Sequence, residues 1–149
     1  MHRRNILWGA ISAFSAAFAA SRASAVSEAA PSAKLKVVYH LNDLGKVSFA
    51  LGNIQTHLDG VGGPDDVTIA LVVHGQALRA FHLASASLDL SKRVGQFSKA
   101  DLELASCSNT MKSQHAALKD LLPGFIAADR GGVVGIAELQ SQGYLYLRP

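Results

Sequence analysis

Cysteine is nearly absent from this sequence: Cys107 stands alone among 149 residues. One thiol cannot close a disulfide within the chain, nor supply the CxxC pairs of a structural zinc site or a dithiol redox motif. Charged residues make up only 17%, and the formal net charge of +3 is misleading. Arg3, Arg4 and Arg22 lie in an N-terminal stretch with its own reading, and without them the cations only match the 11 carboxylates. No basic stripe remains to neutralise phosphates, which excludes nucleic-acid binding. A GxxxxGK[ST] loop and a GxSxG elbow are also missing. The glycines at 60, 62 and 63 precede a strand instead of following one, so they form no dinucleotide fingerprint.

What is present is globular: 49% of residues are hydrophobic, enough for one domain with a real core. The first 25 residues read as an export signal. His2-Arg3-Arg4 forms a positive n-region, Ile6 to Ala20 is apolar, and Ala23-Ser24-Ala25 is a small-x-small cleavage site. The paired arginines followed by Asn5-Ile6-Leu7 resemble a twin-arginine (Tat) signal. An ordinary secretory signal and a structural N-terminal helix are the alternatives. Residues 26–34 then form a small, polar, flexible lead-in, and the domain occupies 35–149. The expected location is the bacterial periplasm or exterior, with no membrane segment in the mature form. An odd cysteine in an exported protein points to intermolecular pairing or a reactive thiol.

Leu35 to His40 reads as a strand, and Asn42 or Asp43 can cap the next helix. Leu44, Val47, Leu51, Ile54 and Leu58 recur at helical spacing as one apolar face. Val67 to Val73 is an almost continuous apolar run, as in a parallel sheet buried on both faces. Gln76 to Ala84 and Leu88 to Phe97 read as helical, and Asp101 to Ser106 as the third strand. A helix is expected to begin near Met111, and Ala117 to Leu122 to form a short helix stopped by Pro123-Gly124. Phe125 to Ala128 is a fourth strand. A helix from Val133 to Gln142, closed by Gly143, precedes a last strand at Tyr144 to Leu147. This alternation predicts a three-layer α/β/α fold with a mainly parallel sheet of about five strands.

In an open parallel sheet, ligands bind at the carboxyl ends of the strands. His40, His74 and Cys107 fall at three such ends. They can converge if those strands are neighbours, about 5 Å apart per step, and Asn42, Gln76, Asn109 and Thr110 would line the same edge. Cys107, placed just before a helix start, has backbone N–H groups to favour a thiolate, and Lys112 can add positive charge. The competing reading is that Cys107 is a small buried hydrophobe. His57, His82 and His115 read as surface residues. Asp43, Asp65, Asp66 and Asp129 read as caps and turns, not as an acid/base pair. His40, His74 and Cys107 suit copper or zinc chemically, though no spacing motif supports a metal site.

Several segments resemble the DsrE/DsrF-like sulfur-relay family. They are Val38-Tyr39-His40-Leu41-Asn42-Asp43, Val73-His74-Gly75, Cys107-Ser108-Asn109-Thr110-Met111-Lys112, Asp120 to Gly124, Gly132-Val133 with Ile136 to Gln140, and Gln142-Gly143-Tyr144 with the terminal Tyr146-Leu147-Arg148-Pro149. The resemblance implies a three-layer fold and homo- or hetero-oligomers such as trimers or hexamers. It also implies sulfur handling through a persulfide on Cys107, without a cofactor. The expected function is a periplasmic sulfur carrier or sulfurtransferase-like protein, exchanging sulfur with a donor or acceptor protein or a small sulfane-sulfur compound. Asn109, Thr110 and nearby N–H groups would stabilise the anionic sulfur. The alternatives are a metal- or small-ligand-binding module using His40, His74 and Cys107, and a non-catalytic oligomer subunit.

Overall fold

The β-branched and aromatic run at the start of the domain forms β1, Leu35–Leu41, in a computed structural model that describes residues 33–149. The export signal read in 1–25, and residues 26–32 of the lead-in, lie outside the described residues. The other strands are β2 (Val67–Val73), β3 (Glu103–Cys107), β4 (Phe125–Ala128) and β5 (Leu145–Leu147). They make one all-parallel sheet in the order β4-β3-β2-β1-β5. Burial of six of the seven β2 residues fits its central place and its unbroken apolar run.

The chain steps from β1 to β4 in one direction, then reverses to lay β5 beside β1. A fixed crossover hand puts the helices of opposite steps on opposite faces. On one face lie α1 (Val47–Val61), a 3-10 helix (Gly75–Phe81), α2 (Leu88–Lys99) and the buried Met111 of α3 (Ser108–Ser113). Alone among the described helices, α4 (Gly132–Ser141) packs on the other face, where the buried cluster is Val38, Ala70, Val72, Ala105, Ile136 and Leu139. The expected three-layer architecture is therefore observed. No described helix is long and apolar enough to cross a membrane.

Several local expectations need correction. Leu44 is 47% exposed, because a 3-10 turn over Leu44–Lys46 precedes α1 and its tighter winding moves Leu44 off the apolar face. Asp43 caps that turn, accepting the Gly45 N–H at 2.8 Å. The segment expected as a helix at 76–84 is a 3-10 helix in which Leu78 and Phe81, three apart, stack on one buried side. Of the short helix expected at 117–122 only Leu118–Asp120 is helical. The adjoining backbone instead bridges to the 3-10 segment through Leu83 N–H to Asp120 O and Leu122 N–H to Phe81 O, both 2.9 Å. Finally, β3 includes Cys107, and α3 starts at Ser108 instead of near Met111. Burial of Ser108, Thr110 and Met111 overrides the weak helix preference of the first polar residues.

Candidate functional site

β1, β2 and β3 are neighbours, so their carboxyl ends set His40, His74 and Cys107 along one edge of the sheet. Strand alternation fixes the side as well. His40 shares the face of Val38, and Cys107 that of Ala105, which is the α4 face. His74 follows β2, with its N–H on Leu41 O at 3.0 Å.

Cys107 is 6% exposed and occupies the N-cap position of α3 with extended backbone. Burial pushes its thiol up. Against that act hydrogen bonds to the sulfur from the Gly132 N–H, then the Thr110 hydroxyl, the Thr110 N–H and the Asn109 N–H. Together they outweigh burial and hold the thiol below its ordinary value. Asn109 and Thr110 are thus among the groups that lower the thiol. Lys112 is exposed and is not among the groups that lower the thiol.

Gly132 begins α4, and the reversal of the chain after β4 brings it against the edge. A Cβ on Gly132 would lie 3.2 Å from Cys107 Cβ, 3.4 Å from His74 Cβ and 3.5 Å from His74 Cδ2. A residue without a side chain is what lets the backbone reach both at once. Gly131 before it holds a positive φ of 99°, where a Cβ would also press on Asn109 Nδ2 at 3.0 Å.

The His40 and His74 rings meet edge to edge, with centroids 4.7 Å apart and planes inclined by 21°. Their Nε2 atoms are 2.5 Å apart, and His40 Nδ1 is 2.6 Å from the Tyr146 hydroxyl on β5. Burial lowers both imidazoles; for His40, His74 and then the Arg148 guanidinium add to this, and for His74 Arg148 does. Both rings are therefore neutral near neutral pH. The Asn42 side chain accepts from Arg148 Nη2 at 3.4 Å and is not among the groups that lower the thiol, while its carbonyl holds Ala77 N–H at 3.2 Å. Gln76 is exposed.

The three-residue metal centre is not assembled: among the described residues no three His, Cys, Asp or Glu side chains are grouped to hold an ion. The histidine pair alone does not fit one either. Two nitrogens 2.5 Å apart, each about 2.0–2.1 Å from one ion, would subtend an angle far below tetrahedral. Asp129 accepts from Ser108 Oγ at 3.4 Å, and Asp43 caps the turn after β1.

Two histidines expected on the surface are half-buried structural groups. His57 Nδ1 meets Tyr39 Oη at 2.9 Å, and His82 Nε2 meets Gln114 Oε1 at 2.9 Å. His115 is exposed, as expected, with a positive φ of 53°.

The same fold is found in two solved structures. One is a protein of unknown function, MTH1491 from Methanobacterium thermoautotrophicum, 24% identical, with a TM-score of 0.68. The other is the ychN protein from E. coli, 11% identical, with a TM-score of 0.57. Each similarity covers 77% of this chain and 99% of the solved one. No family model and no curated protein matches the chain.

Reasoning from sequence alone missed the roles of Gly132, Tyr146 and Arg148. Gly132 was legible only as a helix start. Tyr146 and Arg148 reach the edge because β5 returns beside β1, which no local pattern encodes.

Proposed function

We propose that this chain is an exported member of the DsrE/DsrF-like sulfur-relay family that carries sulfane sulfur as a persulfide on Cys107. The observation that carries the reading is the lone thiol held below its ordinary value by Gly132, Thr110 and Asn109. A buried cysteine serving only as a hydrophobe has no use for such a set of donors, because they favour the charged form that an apolar site disfavours. The same donors suit the thiolate that attacks the donor and is regenerated when the sulfur is passed on.

In this reading the Cys107 thiolate attacks the outer sulfur of a persulfide or polysulfide donor, holds it, and yields it to an acceptor thiol. The protein works in the periplasm as a homo-oligomer, a trimer or hexamer, with a donor or acceptor protein or a small sulfane-sulfur compound as its partner. Intact mass after polysulfide treatment tests the proposal. Wild type is expected to gain mass in sulfur-sized steps and Cys107→Ser to gain none. Equal gain in both, or none in either, overturns it.

A further inference from the structure

We propose that Tyr146, His40 and His74 form a proton-conducting file that serves the chemistry at Cys107, with Tyr146 as its solvent-side positioning residue. The proposal rests on the persulfide reading and adds to it a route for the proton.

The hydrogen-bonded contacts run from the sheet edge as far as His74, which adjoins Cys107. Tyr146 lies on β5, 40% exposed, and its hydroxyl reaches His40 Nδ1 at 2.6 Å. His40 Nε2 reaches His74 Nε2 at 2.5 Å. His74 and Cys107 both pack against Gly132. The file crosses three neighbouring strands, β5, β1 and β2, and ends beside β3, which carries the thiol.

Two neutral imidazoles joined through Nε2 must hold opposite tautomers, since one nitrogen donates and the other accepts. Both arrangements satisfy the contacts. With His40 protonated on Nε2, Tyr146 donates to His40, His40 donates to His74, and His74 keeps its proton on Nδ1. In the alternative every bond reverses. A proton given up at His74 Nδ1 is replaced at Tyr146, and the two rings exchange tautomers without either becoming charged. Burial and the Arg148 guanidinium keep both rings neutral, the condition this exchange needs.

Sulfur transfer creates the demand for that proton. The Cys107 thiolate forms a bond to the outer sulfur of a hydropersulfide R–S–SH. The donor's S–S bond breaks, with its electron pair on the departing R–S⁻, and the product on the protein is Cys107–S–SH. The departing thiolate takes the Nδ1 proton of His74, His74 takes one from His40, His40 from Tyr146, and Tyr146 from water. One proton is taken up from solvent, and sulfane sulfur changes partner with no external oxidant or reductant.

Rapid-mixing kinetics with glutathione hydropersulfide test the file on the full chain, with iodoacetamide alkylation of Cys107 as a parallel reaction whose leaving group needs no proton. Tyr146→Phe keeps the ring and removes the hydroxyl. Its sulfur-transfer rate is expected to fall at least fivefold while alkylation at the same pH changes less than twofold. Added imidazole should raise the transfer rate of the variant and not of wild type. Unchanged transfer in Tyr146→Phe, or transfer and alkylation falling together without imidazole rescue, overturns the file while leaving the persulfide carrier standing. Absence of sulfur transfer in wild type overturns both. Should Tyr146→Phe fail to fold, His40→Gln carries the same comparison, with the same results expected.

Discussion

The Thr110 hydroxyl accepts the Gly75 N–H at 3.0 Å, which directs its own proton to the sulfur of Cys107. One side chain of α3 thereby ties the loop after β2 to the thiol at the end of β3. Thr110→Val keeps the shape but deletes the donor. Loss of one hydrogen bond to a charged group costs about 1.5–3 kcal/mol. The thiolate fraction at pH 7 should drop about tenfold or more. Alkylation rate against pH would show its midpoint moving up in Thr110→Val and staying put in Thr110→Ser.

Gly132→Ala sets two effects against each other. An alanine at a helix position gains up to about 1 kcal/mol over glycine. Its Cβ, 3.2 Å from Cys107 Cβ and 3.4 Å from His74 Cβ, introduces overpacking worth about 1–3 kcal/mol. Thermal stability should fall only slightly, while displacement of the Gly132 N–H raises the Cys107 thiol. A variant that alkylates with the wild-type pH profile would show that the close approach has no bearing on the sulfur.

The histidine pair should make stability depend on pH with a definite sign. Both folded-state values are lowered, so near pH 6.5 and below the unfolded chain binds more protons than the folded one. The pair's contribution is complete above about pH 6.5 and is lost as pH falls through the lower folded values. The melting temperature of wild type should drop between pH 7.5 and 5, and by less in a His40→Gln/His74→Gln double variant. Equal drops in the two proteins would contradict the assignment.

Phe81→Ala tests the larger core. Phe81 is fully buried and sits edge-on to Phe125 at 5.2 Å, joining the 3-10 helix to β4. Its truncation should cost about 3–5 kcal/mol in urea unfolding. A loss below about 1 kcal/mol would mean that this part of the core is not packed as described.

The sheet was legible because its strands carry strong local signals. The apolar run Val67–Val73 and the segment Phe125–Ala128 fall on their observed bounds. Boundaries failed where tertiary packing outweighs propensity, as at Ser108, whose burial draws it and Asn109 into α3. His40, His74 and Cys107 could be named from their strand ends, but their adjacency depends on strand order, a property of long-range pairing. The same limit hid Tyr146, since only the return of β5 beside β1 brings its hydroxyl to His40. Half-burial of His57 and His82 was invisible because each depends on one distant partner, Tyr39 or Gln114.

The most direct test of the central claim is cold cyanolysis of protein loaded with polysulfide and freed of excess reagent. Thiocyanate should approach one equivalent per chain in wild type, fall in Thr110→Val, and vanish in Cys107→Ser. Equal thiocyanate from wild type and Cys107→Ser would contradict it.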